Sequence, residues 1–241
     1  SNSAFILIIT ATLPIYFRSI ASSAGVADNV ITALWGYATS ISLFFLALLA
    51  PVLGAIADYK GYKKKLFMGF LLLAILSALS FTIVDQWQAF LFLYVLSRIG
   101  YSACNIFYDG MLVDVTTNER MDHVSTYGYA FGYIGSTIPF ILGVVIIFFG
   151  DKVGLTTQVA TQLSFGITIL WWALLTIPLL KNVKQKHYLE PTKNVVRTSF
   201  KRVGITMKDI YKDKKLFFFI IAYFFYIDGV YTIISMATTY G

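Results

Sequence analysis

The chain has 241 residues, of which 58% are hydrophobic and only 13% charged, with a net charge of +7 and a mean hydropathy of +0.73. Soluble domains carry about 25% charged residues, so a soluble globular fold is excluded and an all-α integral membrane protein is expected. The positive balance points to anionic lipid headgroups rather than nucleic acid, because the charges flank long apolar runs.

A helix needs about 20 apolar residues to cross the hydrocarbon core. In chain order, residues 2–17, 30–57, 66–84, 89–108, 124–149 and 159–180 meet or approach that length, and a seventh run begins at Leu216. The expected organisation is therefore a six-helix bundle over residues 1–180, a basic linker over 181–215 and a seventh membrane helix over 216–241. The first residue is not Met and lies within the first span, and the chain ends inside the seventh, as expected of the first half of a longer protein. Pro14, Pro51 and Pro178 fall inside spans and are expected to kink them. The single cysteine, Cys104, lies in the fourth span, so no disulfide can form within the chain.

Lysine and arginine mark the cytoplasmic side of short loops. Lys60, Lys63, Lys64 and Lys65 follow the second span, and eleven basic residues occupy 181–215 against Glu190, Asp209 and Asp213. The opposite loops offer only Arg18, Asp28, Asp85, Asp151 and Lys152, so both basic segments are assigned to the cytoplasm. Within the linker, Val196, Phe200, Val203, Met207 and Ile210 recur at helical spacing, with Arg197, Lys201, Arg202 and Lys208 on other faces. This pattern predicts an amphipathic helix at the membrane surface, begun after Pro191.

The loop Gly54-Ala-Ile-Ala-Asp58-Tyr-Lys60-Gly61-Tyr-Lys63-Lys64 resembles the signature joining the second and third helices of the major facilitator superfamily. Gly54 permits close helix approach, Asp58 can accept hydrogen bonds from a facing helix N-terminus, and Gly61 permits a sharp reversal. Tyr59 and Tyr62 stand where that superfamily usually carries arginine. Trp35-Gly-Tyr-Ala38, Phe107-Tyr-Asp-Gly110, Gly128-Tyr-Ala-Phe-Gly132-Tyr-Ile-Gly135 and the run from Ala222 to Val230 further resemble bacterial relatives of the fungal vacuolar amino-acid effluxers. The resemblance implies an alternating-access carrier of small organic solutes, with amino acids as one candidate class and protons as a candidate coupling ion. A lipid-handling facilitator, a drug antiporter and a non-transporting scaffold are the competing readings.

Ionisable groups inside a bilayer cost several kcal/mol, about 2.5–3.5 on insertion scales, so each calls for an explanation. In the fourth span Arg98, Ser102, Asn105 and Asp109 fall within about 60° of one another at 100° per residue, a polar stripe on an apolar helix. Arg98 sits near mid-bilayer, where its guanidinium can bind a substrate carboxylate. Asp228, deep in the seventh span and followed by Gly229, is the second candidate, and Tyr101 and Tyr108 flank the stripe. Asp58, Asp114, Glu119 and Arg120 are expected in cytoplasmic gate pairs, with Asp109 between the two sets. Gly128, Gly132 and Ser136, spaced by four, predict a close helix contact in the fifth span. His123 and His187 are isolated, and neither a phosphate-cradling loop nor a nucleophile–base set is present, so no enzyme, metal or cofactor is expected.

Overall fold

The computed structural model describes residues 2–240, which are almost entirely helical, with no strand among the described residues. The first membrane passage is broken into α1 (Asn2–Ala11) and α2 (Leu13–Ser23). Pro14 lies in the first turn of α2, where its missing N–H costs nothing, but it cannot continue the ladder of α1. The two pieces together reach about 33 Å at 1.5 Å per residue, enough to cross. The sequence pattern ended this passage at residue 17; the helix continues to Ser23 and closes on Gly25. There φ is +80°, Gly25 N donates to the Ser22 carbonyl and Val26 N to the Ala21 carbonyl, a Schellman closure that favours glycine.

The chain continues through α3 (Asp28–Ala57), α4 (Tyr62–Leu79), α5 (Trp87–Gly110), the single turn α6 (Leu112–Val115), α7 (Met121–Phe149) and α8 (Thr157–Asn182). After an extended strap, α9 (Val195–Lys212) leads through Asp213 into α10 (Lys214–Tyr240). Six helical segments are long and apolar enough to cross a membrane, those built on α3, α4, α5, α7, α8 and α10, and they coincide with the second to seventh expected spans; α1 and α2 cover the first. The chain is a multi-pass membrane protein.

Small residues set the tightest helix contacts, as expected where lipid supplies no hydrophobic drive for association. On α5, a Cβ added at Gly100 would lie 2.8 Å from both Ala74 N and the Phe70 carbonyl oxygen of α4. Gly143 of α7 likewise faces Ser164 of α8 with no room for a side chain. Between these pairs lies an aromatic core. Phe5, Tyr101 and Trp172 pack together, Tyr16, Phe90, Phe81 and Phe165 form a second group, and Phe17 and Trp35 join it to Tyr94. Buried Ser42, Thr168 and Thr176 return their hydroxyls to carbonyls four residues earlier, which satisfies these three in an apolar setting. Leu48, Leu72, Leu76, Phe131, Ile134 and Leu170 stay exposed, forming the apolar exterior a bilayer solvates.

Candidate functional site

Helix α5 carries the polar stripe, and the surrounding helices give its members different environments. Arg98 lies eleven residues into α5, about 16 Å along its axis, and only 7% of it is exposed. Its Nη1 donates to the Tyr94 hydroxyl at 3.1 Å, one turn earlier on the same face. That hydroxyl is 3.0 Å from Thr39 Oγ1 on α3, and the Tyr94 ring stacks on Trp35 with centroids 4.2 Å apart. The guanidinium is thus oriented by a phenol that two other side chains hold. One turn further, the buried Tyr101 shares a side-chain hydrogen bond with Asn105 and lies within electrostatic range of Arg98, Tyr133 and Tyr231. Ser102 and Asn105 are half-buried, and Asp109 is exposed, within electrostatic range of Tyr108 and Tyr129. The stripe therefore runs from a buried cation to an exposed carboxylate, facing tyrosines of α7 and α10.

Of the tyrosines, Tyr101 and Tyr108 stood out in the sequence, whereas Tyr94, Tyr129, Tyr133 and Tyr231 did not. Tyr94 is legible as the i−4 neighbour of Arg98, and Tyr129 with Tyr133 as a spacing of four beside Gly128 and Gly132. Asp228, on α10, is exposed and makes no ion pair among the described residues. The small-residue row of α7 meets α1: a Cβ at Gly132 would come 3.2 Å from Ser3 Oγ, Gly128 lies nearest the Tyr108 hydroxyl, and Ser136 is fully buried.

The lysine-rich end of the bundle forms a second polar assembly. Gly61 adopts φ +77° and turns the chain from α3 into α4, and Gly54 has open space around it. Lys63, in the first turn of α4, buries its ammonium 2.7 Å from Asp114 Oδ2 and 2.8 Å from the Gly110 carbonyl oxygen. The second oxygen of Asp114 accepts from the backbone N–H groups of Lys186 and His187, each at 2.9 Å. Lys64 donates to the Leu180 carbonyl at the end of α8. Asp58 meets a side chain rather than a helix N-terminus: Arg202 of α9 donates to its Oδ2 at 3.0 Å and to the Ala55 carbonyl at 3.3 Å.

The strap after α8 is stitched to the same loop. Leu189 pairs with it as an isolated parallel bridge, Leu189 N donating to the Asp58 carbonyl and Lys60 N to the Leu189 carbonyl. Gln185 donates through Nε2 to the carbonyls of Ala57 and Tyr59 and accepts from Gly61 N at 3.0 Å. The Glu190 carboxylate, 3.6 Å from Lys60, and the Tyr188 phenol raise that ammonium above the ordinary lysine value. Glu119 and Arg120 are exposed in a single 3-10 turn, and neither joins an ion pair among the described residues. Asp58, Asp114, Gly61, Lys63 and Lys64 are thus gathered at one end, whereas Glu119 and Arg120 stand apart.

Residues 27–241 match the model of the vacuole effluxer Atg22-like family. An uncharacterized MFS-type transporter, YxiO of Bacillus subtilis (strain 168), is 47% identical over 246 residues, covering all of this chain and 58% of its own length. An uncharacterized protein of Aquifex aeolicus (strain VF5) is 24% identical over 217 residues, covering 89% of this chain and 50% of its own. No solved structure matches the chain. The chain spans about half the length of these bacterial relatives, and it belongs to the vacuole effluxer Atg22-like family.

Proposed function

We propose that the chain supplies the first half of a secondary transporter that moves small organic solutes, amino acids among them, by alternating access. The observation that carries this reading is Arg98: a cation buried near the middle of a membrane span, aimed by Tyr94 and followed by Asn105 and Asp109 on the same face. Such a group is expensive unless it serves a polar path. A guanidinium there suits a substrate carboxylate, which its planar fork grips bidentately, while the tyrosines supply hydroxyls and ring faces for the rest of a small solute. Asp109, at the exposed end of the stripe, is the carboxylate placed to take a substrate ammonium or a coupling proton. The basic end faces the cytoplasm in this reading.

The test uses the full-length protein in proteoliposomes, screened for uptake of amino acids and other carboxylates with and without an imposed proton gradient. The expected result is saturable uptake that Arg98→Lys weakens roughly tenfold or more in affinity, since about 1.4 kcal/mol of lost bidentate geometry is a factor of ten. Arg98→Ala should abolish uptake with the folded protein still in the membrane. A stable Arg98→Ala protein with unchanged affinity for its substrate would refute the proposal.

A further inference from the structure

Helix α9 presents three distinct faces. At about 100° per residue, Val195, Ser199 and Arg202 fall within an arc of about 60°, and these are the residues docked on the bundle, Arg202 through Asp58 and Ala55. Val196, Phe200, Met207 and Tyr211 occupy a second arc of about 60°, and all four are exposed. Arg197, Lys201, Lys208 and Lys212 fill a third, also exposed. The one acidic residue of α9, Asp209, lies off the basic arc beside the docked face and pairs with Lys212 at 3.5 Å.

The ends of two spans fix where this helix lies. Its middle is held at the terminus of the Asp28–Ala57 span, and its last residue is separated by Asp213 alone from the start of the Lys214–Ile234 span. A helix pinned at both places runs along the boundary of the hydrocarbon layer, with one exposed face apolar and the next cationic. Beside its first turn an open cleft of about 770 Å³ is lined by Tyr62, Lys193, Asn194, Val196, Arg197 and Phe200, cations next to aromatic and aliphatic surface.

We propose that α9 is a lipid-binding helix: its apolar arc enters an anionic leaflet at headgroup depth, its basic arc contacts lipid phosphates, and the cleft at Lys193 and Arg197 seats a headgroup. Charge and shape agree on this occupant. An anionic lipid offers a phosphate to the cations and an acyl chain to Val196 and Phe200, which is how interfacial helices bind. The docked arc meanwhile holds Asp58, so α9 ties the lipid surface to the loop between α3 and α4. The inference does not depend on the transport reading.

The test places a single spin label at residue 200, 207 or 201 of the full-length protein, in vesicles of phosphatidylcholine alone or with phosphatidylglycerol. The native Cys104 is buried and does not compete for the label. Labels in Phe200→Cys and Met207→Cys should be more accessible to oxygen than to a water-soluble nickel chelate, and deeper with phosphatidylglycerol, whereas Lys201→Cys should favour the chelate. Combining Lys193→Gln, Arg197→Gln and Lys208→Gln with the label at 200 should remove the dependence on phosphatidylglycerol without lowering thermal stability in detergent. Chelate access at 200 and 207 equal to that at 201 in both vesicles would overturn the proposal. So would retention of the phosphatidylglycerol dependence in the glutamine variant. Protection of 200 and 207 from both reagents in a self-associated protein would assign the face to a second copy and equally overturn it.

Discussion

The Lys63–Asp114 pair permits a quantitative test. Lys63 is 7% and Asp114 0% exposed at the side chain, with 2.7 Å between the charges. Removing one partner of a buried pair costs about 3–5 kcal/mol, chiefly because the other charge is left uncompensated. In Lys63→Met, Asp114 keeps the two backbone donors of Lys186 and His187, which holds the loss to about 3 kcal/mol, the lower end of that range. Asp114→Ala also orphans both N–H groups and strands the ammonium on the Gly110 carbonyl alone, so it should cost more, about 4–5 kcal/mol. For a unit of about 150–250 residues, 1 kcal/mol moves Tm by about 2–4 °C, so Lys63→Met should lower the Tm of the longer full-length protein in detergent by at most about 6–12 °C. The double variant should lose at least about 2 kcal/mol less than the sum of the singles, because the pair is one interaction. His187→Ala is the control: its backbone N–H, which the substitution keeps, makes the hydrogen bond at 2.9 Å, while its imidazole stands 3.5 Å from Asp114 Oδ1 with 71% of the side chain exposed, so Tm should hold. An unchanged Tm in Lys63→Met, or additive singles, would refute this account.

Two further outcomes follow from the packing. Gly100→Ala should destabilise by more than the usual ~1–3 kcal/mol of overpacking, since its Cβ meets backbone atoms of α4 that cannot rotate away, whereas Gly69→Ala, with nothing within 4 Å, should hold or raise Tm. Asp58→Asn should change Tm by less than about 2 °C, as the pair with Arg202 is 38% and 50% exposed and such pairs contribute about 0–1 kcal/mol. It should nonetheless loosen α9, read as faster labelling of a cysteine at the buried position 199; an unaltered labelling rate would count against Arg202 holding α9 to the loop.

The spans and the polar stripe were legible because each is a periodic signal carried by consecutive residues. Apolar length gives the spans, and the spacing 98, 102, 105, 109 gives one face of α5. The loop signature located Asp58, Gly61 and Lys63, but its lysines read alike as orientation signals, although Lys63 is buried and Lys60 exposed. What separates them is Asp114, 51 positions away, and no local pattern encodes that distance. The same holds for Gln185, a polar residue in a basic strap whose four hydrogen bonds all reach across more than 120 positions, and for Arg202, whose pairing with Asp58 spans 144. The break at Thr12 was hidden differently. A proline inside an apolar run permits a kink or a full interruption, and packing against neighbouring helices decides between them.

The two carboxylates of the basic end therefore suit different mechanical roles, and their burial separates them. Lys63 grips both the Gly110 carbonyl and Asp114, so the end of α5 cannot leave α4 without breaking a buried ion pair and the charge-assisted hydrogen bond beside it. Further along the same pair of helices, Gly100 seats against Ala74 with no slack. In the proposed carrier, α4 and α5, joined at both points, move as one body and carry Arg98, Asn105 and Asp109 together. Asp58 and Arg202 instead join the end of α3 and the loop after it to α9 through a solvated ion pair, worth about 0–1 kcal/mol. An alternating cycle needs contacts that break readily, since a balance of a few kcal/mol must tip in both directions. In the proposed carrier the exposed Asp58–Arg202 contact is the one suited to open and close, and the buried Lys63–Asp114 pair is the rivet that keeps the polar stripe intact while it does.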